Sequence, residues 1–167
     1  MVPRILVAYA SRKGSTAGIA QAVGRELKKA GITVEVAEMR TVSSLEGYDA
    51  VVIGAPVYMG RRVDDIADFV KRYKNELQKK PVAAFAVGIA PVAPKVESVD
   101  AVMENLRKVL DPIQTVAVTM FAGTLDPAQQ SFVERTMTKL LNVPTGDFCD
   151  WTAIAAWARE LPHMLNV

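Results

Sequence analysis

The chain has 167 residues, of which 50% are hydrophobic and 23% are charged, a balance typical of one globular domain over residues 1–167. Its formal net charge is only +2, which gives no electrostatic case for nucleic-acid binding. A single cysteine (Cys149) and a single histidine (His163) exclude an intramolecular disulfide framework and argue against a zinc site, and no apolar run reaches the ~18 residues of a bilayer span.

Two hydrophobic periods alternate along the chain. Continuous or alternating apolar runs predict strands, and apolar residues at every third or fourth position predict helices. In chain order, the predicted elements are a strand over 5–8, a helix over 19–30, strands over 33–36 and 51–53, a helix over 66–77, a strand over 82–87, a helix over 99–110, a strand over 115–119, and helices over 133–141 and 151–161. Asp150 is the expected N-cap of the last helix.

This order of elements predicts an α/β fold with a doubly wound, five-stranded parallel sheet. Strands that alternate with helices are joined by right-handed crossovers and pair in parallel. The second and fifth strands alternate apolar and polar residues, as half-exposed edge strands do, whereas the other three are continuously apolar. The strand order 2-1-3-4-5 puts both alternating strands at the edges.

The turn after the first strand reads Ser-Arg-Lys-Gly-Ser-Thr over residues 11–16. Ligands of such sheets bind at the carboxyl ends of the strands, and a helix N-terminus offers free N–H groups to an anion. The hydroxyls of Ser11, Ser15 and Thr16 can donate to phosphate oxygens, and Gly14 allows close approach of the backbone. The alternative is an ordinary capped turn, in which these hydroxyls serve only the helix N–H groups.

Other phosphate-binding classes are excluded by the same strand ends. The chain has no GxxxxGK[ST] motif and no GxGxxG after the first strand. Response-regulator receiver domains share the strand order but require carboxylates after the first and third strands. Here those strands end in Ala-Tyr-Ala (8–10) and Gly-Ala-Pro (54–56), without a carboxylate.

Two loops match a known pattern. Residues 11–16 fit the form [ST]-x-[ST]-G-x-[ST] except at Lys13, and residues 54–60 read Gly-Ala-Pro-Val-Tyr-Met-Gly after the third strand. The first resembles the phosphate loop of the flavodoxin family, and the second resembles the loop that lines the flavin ring in that family. The resemblance implies a flavodoxin-like fold over most of the chain.

A narrower resemblance appears in four further segments. Val-Ile-Gly-Ala (52–55), Met-Phe-Ala-Gly (120–123), Asp-Trp (150–151) and Ala-Arg-Glu (158–160) are similar to the flavodoxin-like, menaquinone-dependent protoporphyrinogen oxidases. Those enzymes carry an extra segment near the fifth strand. Residues 124–147 are its expected, shorter counterpart, and the sequence leaves open whether they bind substrate.

The flavodoxin resemblance implies non-covalent binding of FMN. It places the phosphate on the backbone amides of residues 12–16, with Lys13 either on the phosphate or in solvent. Tyr58 either stacks on the isoalloxazine ring or rests on the helix below. The residues to which the resemblance assigns FMN binding are Ser11, Arg12, Lys13, Gly14, Ser15, Thr16, Pro56, Val57, Tyr58, Met59, Gly60, Gly88, Ile89 and Ala90.

Positive charge in the loops at the carboxyl ends of the strands helps to distinguish an enzyme from an electron carrier. Cations near a flavin ring raise its reduction potential, which favours a quinone-linked or substrate-oxidising enzyme over a low-potential electron carrier. The loops carry Arg12, Lys13, Arg61, Arg62 and Lys95. Arg61 and Arg62 are candidates, with Gly123, for substrate contact, since arginines hold carboxylates such as porphyrin propionates. Their alternative is a solvated helix start.

Three functions remain open from the sequence. The first is an FMN-dependent oxidoreductase of haem biosynthesis, which passes electrons from a reduced tetrapyrrole to a quinone. The second is a flavodoxin-type electron carrier that serves a redox protein. The third is a flavin-free binding module, which Lys13 in place of a hydroxyl residue keeps open.

The chemistry is expected to reside in the cofactor, because the sequence shows no acid–base pair, nucleophile constellation or metal site. Catalytic residues are therefore not identified. A cytoplasmic location is expected, and a transient contact with the inner face of the membrane is left open, although no amphipathic anchor stands out. The physiological electron donor and acceptor and the oligomeric state are also left open.

Overall fold

The computed structural model describes residues 2–10, 15–57, 64–95, 97–126, 128 and 130–167. Several of the predicted site residues lie outside these ranges, and the expectations for them stay predictions. They are Ser11, Arg12, Lys13, Gly14, Tyr58, Met59, Gly60, Arg61 and Arg62.

A five-stranded parallel sheet forms the centre of the molecule, with the order β2-β1-β3-β4-β5. Its strands are β1 (Arg4–Tyr9), β2 (Thr33–Glu38), β3 (Ala50–Pro56), β4 (Val82–Gly88) and β5 (Thr115–Ala122). Strands β3 and β4 are buried over almost their whole length, whereas β2 and β5 are partly exposed. The predicted doubly wound fold and its strand order are confirmed, with the two alternating strands at the edges.

Helices cover both faces of the sheet. The helices of the described residues are α1 (Thr16–Lys29), α2 (Asp64–Arg72), α3 (Lys74–Leu77), α4 (Val99–Leu110), α5 (Phe132–Leu140) and α6 (Trp151–Met164). Of these, α1 and α6 pack on one face of the sheet, and α2 and α4 pack on the other. The single helix predicted over 66–77 is divided at Tyr73, whose hydroxyl donates to the carbonyl of Val42 at 2.5 Å. None of the helices described has the length and apolar character needed to cross a bilayer.

A separate hydrophobic core lies on each face of the sheet. On one face α1 and α6 pack on β1, β3 and β4. Phe85, Phe121 and Trp157 form an aromatic cluster there, with ring centroids 5.6 to 6.0 Å apart. On the other face α2 and α4 pack on the same strands. With both faces covered, the ends of the strands are where a ligand can reach the sheet.

Residues 124–147 form an insert between β5 and α6. The insert begins with β6 (Thr124–Leu125) and ends with β7 (Gly146–Asp147), which pair in antiparallel fashion on either side of α5. A capping box starts α5: the Ser131 hydroxyl accepts from the Glu134 N–H at 3.2 Å, and the Glu134 carboxylate accepts from the Ser131 N–H at 3.1 Å. Two-residue strands are too short for a periodicity, so the sequence predicted the helix alone.

A small apolar cluster anchors the insert to the loop that follows β4. It consists of Ile89, Ala93, Leu125 and Val143. The insert therefore lies over the carboxyl end of the sheet and adds a wall beside the strand ends.

Candidate functional site

A cavity of about 170 Å³ lies at the carboxyl ends of the strands. The framework contributes the start of α1 (Ser15, Thr16), the end of β3 (Pro56, Val57), the end of β4 (Val87, Gly88, Ile89), and Gly123 after β5. Its volume is below the ~300–1,000 Å³ of typical cofactor pockets. The segments 11–14 and 58–63, which adjoin Ser15 and Val57 in the chain, lie outside the described residues.

The start of α1 is suited to an anion. Ser15 occupies the N-cap position, yet its side chain makes no capping hydrogen bond, and the first turn of α1 contains no acidic residue. Among the described residues no side chain caps the N–H groups of that turn, which together with the positive end of the helix dipole can receive a phosphate. Thr16, the first helical residue, also lines the cavity.

The Ser15 hydroxyl is oriented by the insert. Its oxygen accepts a hydrogen bond from the Thr124 N–H at 3.1 Å. A hydroxyl both accepts and donates, so its hydrogen can be directed either to the neighbouring Cys149 sulfur or to an anion at the helix terminus. The insert thus fixes the position of a side chain in the predicted phosphate loop.

Close backbone approach requires glycine at two positions of the cavity wall. A Cβ at Gly123 would lie 2.7 Å from Ser15 Oγ and 2.7 Å from Val87 Cγ1. A Cβ at Gly88 would lie 2.8 Å from the Val57 carbonyl oxygen. The strand ends are also tied together, since the Val57 N–H donates to the Val87 carbonyl at 2.7 Å and the Gly123 N–H to the Gly88 carbonyl at 3.1 Å.

The insert supplies a largely apolar wall of the cavity. Leu125, Val133, Met137 and Val143 line it, together with Thr124, Gln130 and Glu134. The Gln130 side-chain N–H donates to Thr138 Oγ1 at 2.9 Å, and the Gln130 Oε1 atom is shielded from solvent without a hydrogen-bond partner among the described residues. An apolar wall with one unused acceptor suits a flat ring that carries N–H or O–H groups.

Cys149 lies beside the same serine, in surroundings that disfavour its thiolate form. Burial raises the pKa of the Cys149 thiol, the neighbouring Asp147 carboxylate raises it further, and a hydrogen bond with Ser15 acts in the opposite direction. The ordinary value is 9.0, so the thiol is protonated at neutral pH. The thiol is a packing group at the edge of the site.

The structure brings most of the described predicted site residues together. Those that line the cavity are Ser15, Thr16, Pro56, Val57, Gly88, Ile89 and Gly123. Ala90 does not line it, because its side chain is fully buried in the core on the α2–α4 face. Lys95 is exposed in the loop after β4.

The cavity residues of the insert were not found from the sequence. Val133 and Met137 have helical spacing, which indicated a helix but gave no indication of what it faces. Thr124 acts through its backbone N–H, which leaves no trace in residue type. The only available signal was the length of the segment between the fifth strand and the last helix.

Comparison with known proteins places this geometry in a family. The family model of the flavodoxin domain matches residues 6–151. The protein "Protoporphyrinogen IX dehydrogenase [quinone]" of Escherichia coli (strain K12) is 28% identical over 176 residues, which cover 98% of this chain and 97% of the relative.

Solved structures support the fold. A flavodoxin of Streptococcus pneumonia superposes with a TM-score of 0.60 at 16% identity, over 98% of this chain and 97% of that one. A flavoprotein in complex with FMN from Lactobacillus acidophilus superposes with a TM-score of 0.56 at 17% identity, over 71% of this chain and 93% of that one. At these identities the likeness establishes the architecture alone.

Proposed function

We propose a cofactor and a reaction from one premise, which is that this chain belongs to the family of flavodoxin domains. The cofactor is FMN, the ligand of the Lactobacillus flavoprotein with the same fold. The reaction is the oxidation of a reduced tetrapyrrole with a quinone as acceptor, the activity named for the E. coli relative. Each round removes two electrons and two protons from the tetrapyrrole and reduces one quinone to a quinol.

The described residues fit the phosphate end of FMN. The first-turn N–H groups of α1 and the Ser15 and Thr16 hydroxyls would bind the phosphate, and the glycines at 88 and 123 would let the cofactor approach the backbone. FMN supplies the two-electron chemistry that no side chain here provides. Further phosphate contacts from 11–14 and ring contacts from Tyr58 and its neighbours remain predictions.

The observation that carries the enzymatic proposal is that the insert and the phosphate-binding turn line one cavity. The apolar side chains of the insert, Val133 and Met137 among them, would exclude water and pack on the face of a flat substrate beside the cofactor. Propionate contacts from Arg61 and Arg62 remain part of the proposal. The similarity to the E. coli dehydrogenase covers the insert as well as the fold.

Anaerobic mixing of the FMN-loaded chain with protoporphyrinogen IX and a water-soluble menaquinone analogue tests the reaction. We expect porphyrin fluorescence to appear together with quinol in a ratio of three quinols to one porphyrin, since forming the porphyrin removes six electrons. FMN loading without any porphyrin formation above the rate of the cofactor alone would contradict the enzymatic proposal.

Two substitutions on α5 test whether the insert wall binds substrate. Met137 lines the cavity and Leu140, about one turn away, does not. We expect Met137→Ser to lower kcat/KM about tenfold, equivalent to ~1.4 kcal/mol of transition-state stabilisation. Leu140→Ser should leave turnover of the soluble quinone unchanged, so equal effects of the two substitutions would argue against a substrate role for this wall.

A second pair of substitutions, one test and one control, examines phosphate binding. Ser15→Ala removes a hydroxyl beside the cavity, whereas Ser98→Ala removes a conventional N-cap at the start of α4, where the hydroxyl accepts from the Ala101 N–H. We expect Ser15→Ala to weaken FMN binding about tenfold in a fluorescence-quenching titration. Ser98→Ala should cost about 1 kcal/mol of stability and leave FMN affinity unchanged.

Electron transfer to a redox protein is the second candidate, because a flavodoxin superposes on nearly the whole chain. The same experiments separate the two candidates. A carrier would bind FMN and exchange electrons with a flavodoxin reductase, yet would form no porphyrin. A colourless protein that fails to quench FMN fluorescence would exclude both.

A further inference from the structure

Helix α5 presents apolar side chains to solvent and a polar one to the protein. Phe132, Val133 and Leu140 are 83%, 69% and 75% exposed, and Met137 and the C-cap residue Leu141 are about half exposed. Thr138, in contrast, is buried and hydrogen-bonded to Gln130. This arrangement reverses the usual amphipathic helix of a globular protein. We name the five exposed apolar residues the apolar α5 face.

Charged residues of α5 are distributed unevenly around this face. At 100° per residue, Arg135 and Lys139 flank the apolar α5 face on one side, and both are exposed. Glu134, the one acidic residue of the helix, is engaged in the capping box with Ser131. One edge of the face therefore offers two cations to whatever covers it, and the Glu134 carboxylate lies at the other edge in its capping box.

We propose that the apolar α5 face docks on an anionic lipid bilayer. A short helix with Phe and Leu on one side and basic residues at the rim is the pattern of an interfacial segment, whose apolar side chains enter the boundary between headgroups and acyl chains. Arg135 and Lys139 would meet the anionic headgroups. Val92 and Lys95 are exposed in the loop after β4, and Ile89 and Ala93 of that loop pack against the insert.

The size of the face favours a bilayer over a second copy of the chain. The five side chains expose on the order of 500 Å², comparable to the largest apolar patch of a monomer. A standard stable complex buries roughly 800 Å² on each partner. The apolar α5 face alone is therefore small for a dimer, whereas interfacial docking needs only a few inserted side chains.

The face is continuous with the cavity. Val133 and Met137 belong to both, so an apolar molecule leaving the bilayer at α5 would meet the cavity wall without crossing water. In this respect the inference rests on the proposed function, since a quinone is a bilayer-soluble electron acceptor. Docking itself depends only on the exposed side chains and their charged rim.

Vesicle co-sedimentation of the FMN-loaded full chain tests the docking. The vesicles are phosphatidylcholine alone or with phosphatidylglycerol. We expect wild type to bind the anionic vesicles, and Phe132→Ser/Leu140→Ser to bind at least about tenfold more weakly. The control Val2→Ser/Val116→Ser removes two exposed apolar side chains elsewhere and should bind as wild type does.

A second pair of variants tests the charged rim. Arg135→Gln/Lys139→Gln should lower the affinity for anionic vesicles about tenfold, and its charge-matched control, Lys71→Gln/Lys74→Gln, should lower that affinity little.

Equal binding of wild type and Phe132→Ser/Leu140→Ser, or no binding to either vesicle, overturns the inference. A dimer in sedimentation velocity that this double substitution abolishes, without vesicle binding, would assign the face to a second copy instead. Turnover with the water-soluble quinone, without vesicles, should be unchanged in Phe132→Ser/Leu140→Ser. If wild type forms no porphyrin but binds vesicles in a way that depends on the apolar α5 face, the proposed function would be rejected and the docking inference would stand.

Discussion

The Ser15 side chain links three parts of the molecule. These are the start of α1, where the phosphate is predicted to bind, the insert, and the end of β5. Its oxygen accepts from the Thr124 N–H, and it contacts the position where a Gly123 side chain would be. Serine at a helix N-cap ordinarily bonds to its own helix. Here the bond goes to a residue 109 positions away, so the proposed phosphate site and the insert are joined by a direct hydrogen bond.

Substitution of Gly123 should disturb that junction. In Gly123→Ala the new Cβ would press on Ser15 Oγ and Val87 Cγ1, each at 2.7 Å, and displace the hydroxyl. We expect FMN affinity to fall about tenfold in a fluorescence-quenching titration, the effect of losing one charge-assisted hydrogen bond.

Gly18→Ala is the control, since its Cβ would meet only Trp151 at 3.7 Å. That substitution should leave FMN affinity unchanged and raise stability by up to about 1 kcal/mol, because alanine is the better helix former. An unaltered affinity in Gly123→Ala would remove Ser15 from the phosphate site.

Tyr48 should make the stability of the fold sensitive to alkaline pH. Burial, and then a hydrogen bond from its hydroxyl to the Glu35 carboxylate, raise the pKa of Tyr48 from 10.0 to about 12. Between these values the unfolded chain loses the Tyr48 proton and the folded chain keeps it, so stability falls as the pH rises from about 10 to 12. Tyrosinate absorbance and chemical denaturation across that range provide the measurement.

The Tyr48→Phe variant is the reference for this prediction. It should lack the late-titrating tyrosine and should lose less stability than wild type over the same pH interval. A tyrosinate titration that the substitution leaves unchanged between pH 10 and pH 12 would falsify the assignment.

Strands β3 and β4 show how elements constrain one another. Gly54 of β3 pairs with Phe85 of β4, and the fully buried Phe85 ring occupies the space where a Gly54 side chain would project. The same ring contacts Phe121 of β5 and Trp157 of α6 in the aromatic cluster. One glycine therefore allows a large side chain to link the central strands to a helix.

Gly54→Ala should be strongly destabilising. Its Cβ would lie 2.1 Å from Phe85 Cζ, and the ring has no free space to move into within the packed core. We expect the free energy of unfolding in urea to fall by about 3 kcal/mol. Phe85→Leu in the same chain should recover at least about 1 kcal/mol of that loss, because leucine vacates the ring position. Strictly additive effects of the two substitutions would contradict this packing.

At the scale of elements, prediction from sequence succeeded where a pattern is local. The helix over 99–110 has the bounds of α4, and Asp150 caps α6 by accepting from the Ala153 N–H at 3.0 Å. The division at Tyr73, whose hydroxyl bonds to the Val42 carbonyl, and the pairing of β6 with β7 across the insert were missed. Neither leaves a periodic signal in the residues concerned.

For the whole molecule, the proposed binding of FMN would be linked to folding. A ligand that binds only the native state at 100 times its Kd stabilises that state by about 2.7 kcal/mol. For a chain of this size we expect FMN to raise the thermal midpoint by roughly 5–10 °C. Riboflavin, which lacks the phosphate, should raise it less at the same concentration, because the start of α1 would have no anion to bind. If FMN and riboflavin raised the thermal midpoint equally, the binding free energy would come from contacts with the flavin ring and not from the phosphate at the start of α1.

The sequence by itself determined the α/β class and the strand order, and it predicted the end of the sheet where a ligand would bind. These follow from the hydrophobic period of each segment and from the handedness of crossovers, both of which are local or general properties of chains. Only the tertiary structure decided that α5 turns its apolar side outward, that Ser15 bonds to the insert and that Phe85 fills the space above Gly54. The physical reason is that each of these three features depends on which distant segments come into contact. The pattern of apolar and polar residues in a helix or strand indicates how polar each of its faces is, but it does not indicate what packs against that face.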